Sequence, residues 1–298
     1  MLKNEWFEEA VRLAVDGMSW RKIAAKLGVP KSTVSDNLRA YFKELEYLNK
    51  KPSMQHSVRK DNGTEDNSRI LLISDMHIPY HHQDLIPFLQ HLKDKYKPTR
   101  IICLGDELDK HALSYHDSDP DLPSAGDELR RSLPVVKALF EMFPKMDIIE
   151  SNHGSLVWRK AKTHGIPKQY IKSYNDVLGV DDGWRWSFDL TITLPNGQRC
   201  YIHHGKSSDV TNLSQQMGMC AIQGHYHEKF KIDYWGNPNG LFWGLQCGCL
   251  VDDDSLAFSY NNVNIKRPVI GTAVIINSQP ILEPMILDKN GRWVGLNK

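Results

Sequence analysis

Ten side chains that can ligate a metal or carry a proton stand directly after short apolar runs at five places in this chain. The run 70–73 leads into Asp75-x-His77, 101–104 into Gly105-Asp106-x-x-Asp109, and 148–149 into Asn152-His153; 201–202 leads into His203-His204-Gly205, and 220–222 into Gly224-His225-x-His227. Short buried strands deliver the residues that follow them to one edge of a sheet, where open α/β sheets collect ligands. Two divalent cations held side by side need a carboxylate that can bridge them and nitrogen and oxygen donors to complete each shell, which Asp, Asn and His provide. A metal pair roughly 3.5 to 4 Å apart acidifies a water between its ions and clamps both oxygens of an in-line displacement, chemistry suited to phosphate esters. Singly, an Asp-x-His or Asn-His after a strand is more often turn chemistry. Five such fragments in this order are not accounted for by turns.

That order resembles the calcineurin-like metallophosphoesterase superfamily, whose pattern runs Asp-x-His, Gly-Asp-x-x-Asp, Gly-Asn-His-(Asp/Glu), His and Gly-His-x-His, over about residues 69–298. Carried over position by position, the resemblance implies that Asp75, His77 and His227 hold one metal, that Asn152, His204 and His225 hold the other, and that Asp106 bridges both. It implies two divalent ions, Mn2+ first, with Zn2+ or Fe2+ also compatible with such mixed ligation. His153 is implied to be the general acid that protonates the leaving alcohol, with Asp109 orienting its ring. Asp109→Asn is then expected to lower turnover more than metal content. The third motif departs from the pattern, reading Ser151-Asn152-His153-Gly154 where an acid usually follows the His. Any bracing by that acid passes to a residue the sequence does not name. His203 and His204 compete for one ligand position, because neighbouring strand residues point to opposite faces. His204, directly before Gly205, is preferred, and His203 is the alternative.

The amino-terminal part has a different pattern. Residues 2–16 place Trp6, Ala10, Leu13 and Ala14 at helical spacing before a stop at Gly17; a second helix after Ser19 carries Ile23, Ala24 and Leu27 and stops at Gly28. A third, about 31–48, turns Val34, Leu38, Tyr41 and Leu45 inward. Residues 21–35 resemble the helix-turn-helix of transcription regulators and recombinases, which implies DNA as partner, with Lys31, Ser32, Ser35 and Arg39 presented to it. Asp36 on that face opposes the reading, and a small helical domain that binds protein or forms a homodimer is the plain alternative. Charge favours nucleic acid: residues 1–60 hold 12 Lys and Arg against 7 Asp and Glu, whereas 61–298 hold 25 against 29. The domain pairing fits a bacterial or phage origin.

The organisation read from sequence is therefore a helix-turn-helix domain over 1–48, a polar linker over 49–68, and a metallophosphoesterase domain over 69–298. Such a linker, if flexible, spans on the order of 25 Å. Repeated strand and helix segments followed by a strand-rich end from Cys200 onward give an expected α/β fold class, for which the resemblance implies two packed β-sheets flanked by helices, and a small all-α domain precedes it; 298 residues can bury a large core and a small one. Late apolar runs at 269–276 and 280–287 are expected to complete the second sheet. Five cysteines without a Cys-x-x-Cys pair favour reduced, packed thiols. No run approaches the roughly 18 to 20 apolar residues of a membrane span, so no membrane partner and a cytoplasmic location are expected. A helix about 124–143 should follow a polar loop, 111–123, whose His111 and His116 are candidates for overhanging the metals. Among the late aromatics, Tyr226 sits between two ligand candidates and the rest read as core.

The first functional expectation is a two-metal phosphodiesterase acting on DNA, a nuclease or end-processing enzyme targeted by the amino-terminal domain. A phosphomonoesterase or cyclic-nucleotide phosphodiesterase would use the same site. A catalytically idle DNA-binding regulator is the reading from another class, and the intact ligand set argues against it.

Overall fold

The computed structural model describes residues 5–15, 18–50, 58–60, 63–115, 121–255 and 267–297, and divides into two units, Met1–His56 and Ser57–Lys298. In the first unit, α1 (Glu5–Val15), α2 (Trp20–Leu27) and α3 (Lys31–Lys50) bury Ala10, Leu13, Ile23, Ala24, Val34 and Leu38 against one another. Ala10 and Leu13 are three apart and Val34 and Leu38 four apart, the single apolar stripe that a short helix must cover to be stable, and Ile23 and Ala24 fill the space between them from α2. Helix α2 ends where expected: Gly28 takes φ +65°, and its N–H bonds Ala24 O. The stop expected at Gly17 lies outside the described residues.

The second unit holds two mixed six-stranded sheets with helices beside them. In one, β2 (Arg69–Ile73), β3 (Arg100–Cys103), β4 (Met146–Ile149) and β5 (Trp184–Ser187) run parallel, and β11 (Gly271–Ile276) and β12 (Gln279–Pro284) extend the β2 edge antiparallel. In the other, β1 (Val58–Lys60), β6 (Asp189–Thr193), β7 (Arg199–His203), β8 (Cys220–Gln223), β10 (Gly240–Cys247) and β9 (Phe230–Asn237) pair in that order. The crossovers are α4 (Leu85–Tyr96), α5 (Ala125–Met142), α6 (Leu156–Thr163) with α7 (Tyr174–Leu178), and α8 (Val210–Met217). Ser124 caps α5 by accepting from Asp127 N.

Strand β2 shows why the layers form. Leu71 and Ile73 join the core shared with α4 and α5, while Ile70 and Leu72 join the apolar cluster that includes β6, β7, β8 and β10. Both faces are buried, so the run reads as continuous apolar sequence. All five cysteines are buried and free.

Two expectations need correction. The segment 49–68 is not linker throughout: α3 reaches Lys50, and β1 pairs parallel with β6, Val58 opposite Asp189. Three residues with one β-branched side chain carry almost no local strand signal; an open partner edge supplies the pairing. The late strands join the first sheet, Val274 opposite Leu71, not the second. Local propensity marks a strand but does not choose its neighbour.

Candidate metal centre

The loops after β2 and β3 are laced together by main-chain bonds. Leu104 N donates to Ile73 O at 2.7 Å, His77 N to Asp106 O at 2.8 Å, and Ile78 N to Glu107 O at 3.0 Å. Four candidate ligands lie in left-handed backbone: Asp75 (φ +48°), His77 (+48°), Asp106 (+49°) and His225 (+70°). Non-glycine residues rarely adopt this region, Asp and His being among the more tolerant, and such outliers cluster at functional sites. Two glycines are required for close approach. A Cβ on Gly224 would lie 2.4 Å from Asp75 Oδ2, and one on Gly105, itself at φ +100°, would lie 2.7 Å from Ile149 O and 2.9 Å from His204 Nδ1.

Within this frame the dispersed side chains meet. Asp75, His77 and His227 form one group and Asp106, His204 and His225 another, each with its ligand atoms within 4.8 Å of one another. Asp106 Oδ2 stands between them, 3.4 Å from His77 Nε2 and 3.2 Å from His204 Nε2. Asn152 Oδ1 is 2.8 Å from His204 Nε2, His227 Nε2 is 3.4 Å from Asp75 Oδ1 and 3.2 Å from His77 Nε2, and His225 N donates to both oxygens of Asp75 at 3.0 Å. Asp75, His77, Asp106 and His204 are buried.

Hydrogen-bond bookkeeping tests whether this set suits a cation. His204 Nδ1 donates to Leu104 O at 2.8 Å, which leaves Nε2 facing two acceptors, Asn152 Oδ1 and Asp106 Oδ2. His77 repeats the arrangement: Nδ1 donates to Asp109 Oδ1 at 2.6 Å, and Nε2 faces Asp106 and His227. A neutral ring has no hydrogen to offer there, so each site calls for a proton or a metal ion. At His204, without metal, the proton is the answer. Burial alone would lower the His204 value, but Asp106 and Asp75 outweigh it and push it up to about 9. Burial likewise opposes ionisation of Asp106, yet His204, His153 and His77 hold its carboxyl well below the usual range. The donor set fits a pair of divalent ions.

Asp109 and His153 lie beside this centre in an arrangement that differs from the expected one. The short carboxylate bond of Asp109 goes to His77; the His153 ring is held through Nδ1 by the main-chain carbonyl of Asp109, with the carboxylate 3.5 Å away. The reason is reach: the turn that presents the Asp109 carboxylate to His77 turns its carbonyl to His153. Bracing of the third motif comes from residues that the sequence left unnamed. Gly154 O accepts from Lys110 Nζ at 2.8 Å and from the Tyr174 hydroxyl at 2.9 Å, while Gly154 N donates to Ser151 Oγ. Lys110 also lies over the Tyr174 ring. The buried Glu128 carboxylate accepts from His111 N and Ala112 N, fixing the loop after Asp109. The available signal was the missing acid at position 154, which required a substitute.

His203 turns away from the centre. It packs edge-on against Phe188 and accepts from Gly205 N, and burial pushes its value down to about 3. His111 Nδ1 is 3.8 Å from Asp109 Oδ2, and His116 lies outside the described residues. Tyr226 packs against His225 under Lys229. In the helical unit Lys31, Ser32, Asp36 and Arg39 are exposed on α3 and Ser35 is half-buried. No helix among the described residues is long and apolar enough to cross a membrane.

Similar solved structures include Vacuolar Protein Sorting 29 from Cryptosporidium parvum, 13% identical over 72% of this chain and 95% of that one, TM-score 0.40. Vps29 from Chaetomium thermophilum is 14% identical over 75% and 91%, TM-score 0.39. The nuclease MPE of Pseudomonas putida is 14% identical over 72% and 86%, TM-score 0.26. Likenesses this weak carry no functional argument. No curated protein matches the chain. Residues 8–48 match the family of homeodomain-like domains, in agreement with the three helices observed there.

Proposed function

We propose that this chain is a metal-dependent phosphodiesterase of the calcineurin-like type that acts on DNA. One observation carries the reading: a single buried oxygen, Asp106 Oδ2, stands between the imidazoles of two separate ligand groups. A carboxylate placed in that way is what a shared pair of cations requires, and an ordinary buried ion pair does not. Asp75, His77 and His227 would hold one ion, Asn152, His204 and His225 the other, and Asp106 both, with Mn2+ the first ion to test.

Bound there, the ions would activate a water and neutralise charge developing on the phosphoryl oxygens. The chain's own residues supply the rest. Asp109 fixes the His77 tautomer, so that Nε2 would be the atom left to ligate an ion. His153 Nδ1–H is committed to the Asp109 carbonyl, which makes Nε2 the atom that delivers a proton to the leaving oxygen. That delivery requires the doubly protonated ring, whose Nδ1 lies 3.5 Å from the Asp109 carboxylate. Lys110 and Tyr174 hold the loop that sets this angle.

The helical unit would deliver the enzyme to DNA through α3, with Lys31 and Ser32 on phosphates and Ser35 and Arg39 as groove contacts. A homodimer would give such a single module useful affinity. Metal analysis joined to a hydrolysis screen tests the whole: bis-p-nitrophenyl phosphate and DNA should be cleaved with Mn2+, better than p-nitrophenyl phosphate or cyclic nucleotides, and Asp106→Asn should abolish it. Unchanged cleavage by that variant would refute the assignment.

A further inference from the structure

The 22 residues 151–172 hold Arg159, Lys160, Lys162, Lys168 and Lys172 and not one Asp or Glu, inside a region where acids outnumber Lys and Arg, 29 to 25 over 61–298. This segment leaves directly from Asn152 and His153. Arg159 Nη2 donates to Asn152 O at 3.0 Å, tying the basic face to the candidate metal loop. Arg159 and Lys160 sit 5.3 and 5.0 Å from the centroid of the Tyr115 ring, which is still 56% exposed. From the end of α6 onward, residues 162–170 are all exposed, and Tyr170 reaches 82%. Among the described residues no carboxylate pairs with Arg159, Lys160, Lys168 or Lys172.

A merely solvated face intersperses both signs of charge and keeps its large rings partly covered. Here Arg159, Lys160, Lys168 and Lys172 lack counter-charges among the described residues and two tyrosines stand open beside them, the combination that tracks a phosphate backbone and stacks unpaired bases. Duplex DNA hides its base faces and has no use for the rings. We infer that 151–172 together with Tyr115 forms a track for single-stranded nucleic acid leading to the metal centre, with Lys168 and Lys172 following phosphates and Tyr115 and Tyr170 stacking on bases. For the scissile bond this rests on the phosphodiesterase reading; for binding it does not.

The test separates the two. Anisotropy of fluorescein-labelled oligothymidylate is measured with the full chain in EDTA, for wild type, Tyr115→Ala, Tyr170→Ala and Lys168→Glu/Lys172→Glu, with thermal melts to confirm folding. Each ring variant should bind roughly 5- to 150-fold more weakly, the range for one lost base–aromatic stack. The charge variant should flatten the salt dependence by about 1.4 in slope. Ring variants that bind within twofold of wild type, or that weaken a duplex as much as the single strand, overturn the track. Wild-type hydrolysis of bis-p-nitrophenyl phosphate with Mn2+ is scored apart from this. If it is absent while the ring variants lose binding, the track stands and the phosphodiesterase reading falls. If it is present while the ring variants bind normally, the reverse holds.

Discussion

Replacing Asp109 with Asn keeps the size of a buried side chain and removes only its charge. In the structure that charge is bonded to His77 Nδ1 at 2.6 Å and lies 3.5 Å from the His153 ring. Burial raises the Asp109 carboxyl, but His77 outweighs burial and holds it below the ordinary range, so the ionised form is the one lost. A charge-assisted bond contributes about 1.5–3 kcal/mol and a neutral one about 0.5–1.5. The difference, on the order of 1–1.5 kcal/mol, is roughly 5- to 13-fold and meets the low end of the 10- to 100-fold losses found for partners behind metal-bound histidines. Of the two proposed metal sites, only the one with Asp75 and His227 includes His77 as a ligand; the other place where His77 groups with potential ligands is beside Asp109 and His153 themselves. Calorimetric titration with Mn2+ should therefore show one of two sites weakened about tenfold and the other unchanged, with turnover at saturating metal falling less than the affinity. If both affinities hold while turnover alone collapses, the carboxylate serves His153 instead, and the argument from the 2.6 Å bond is wrong.

Three further outcomes follow from the same geometry. His153→Ala should cost about 10²–10⁴ in turnover on DNA, whose alkoxide needs a proton, and far less on bis-p-nitrophenyl phosphate, whose phenolate leaves unaided; equal losses on both would remove His153 as the acid. Tyr174→Phe deletes one of two donors to Gly154 O and should lower turnover about 2- to 12-fold with metal content intact, so a variant that instead loses metal would show the bracing to be misassigned. In the metal-free protein the His204 value of about 9 stands above its ordinary 6.5, so its charged ring contributes stability in full below 6.5 that is lost as pH rises through about 9. Metal must displace that proton, and calorimetry in two buffers of different ionisation heat should count a proton released per chain near neutral pH, with affinity rising up to about tenfold per pH unit; zero release would contradict the assignment.

Much of the centre was legible because strands announce themselves locally. Apolar runs of two to four residues placed Asp75, Asp106, Asn152, His204 and His225 at strand ends, and the structure brings all of them together. The helical unit was legible for a similar reason: Ile23, Val34 and Leu38 keep helical spacing and all are buried. The parts that were not legible depend on where distant segments meet. Nothing near Lys110, Glu128 or Tyr174 in sequence says that they converge on the loops carrying Asp109 and His153. Whether Asp109 reaches His77 or His153 is decided by about an ångström of turn geometry. Strand β1 is likewise defined by the edge of β6 and not by its own three residues.

The left-handed backbone at Asp75, His77, Asp106 and His225 tells how the centre works as a mechanical object. Each such residue costs on the order of 1–2 kcal/mol, a sizeable total against the stability of a domain. The cross-loop bonds from His77 N and Ile78 N to the Asp106–Glu107 backbone offset part of that cost, and they work only if both loops hold their shape together. Loops stitched in this way and walled by Gly105 and Gly224 have little room to adapt to a substrate. Ligands fixed before metal or substrate arrives favour fast chemistry on any phosphate ester that fits. Selection among such esters then falls to what surrounds the centre, and the acid-free segment that begins at the His153 loop and lies exposed over 162–170 has the chemistry to exercise it.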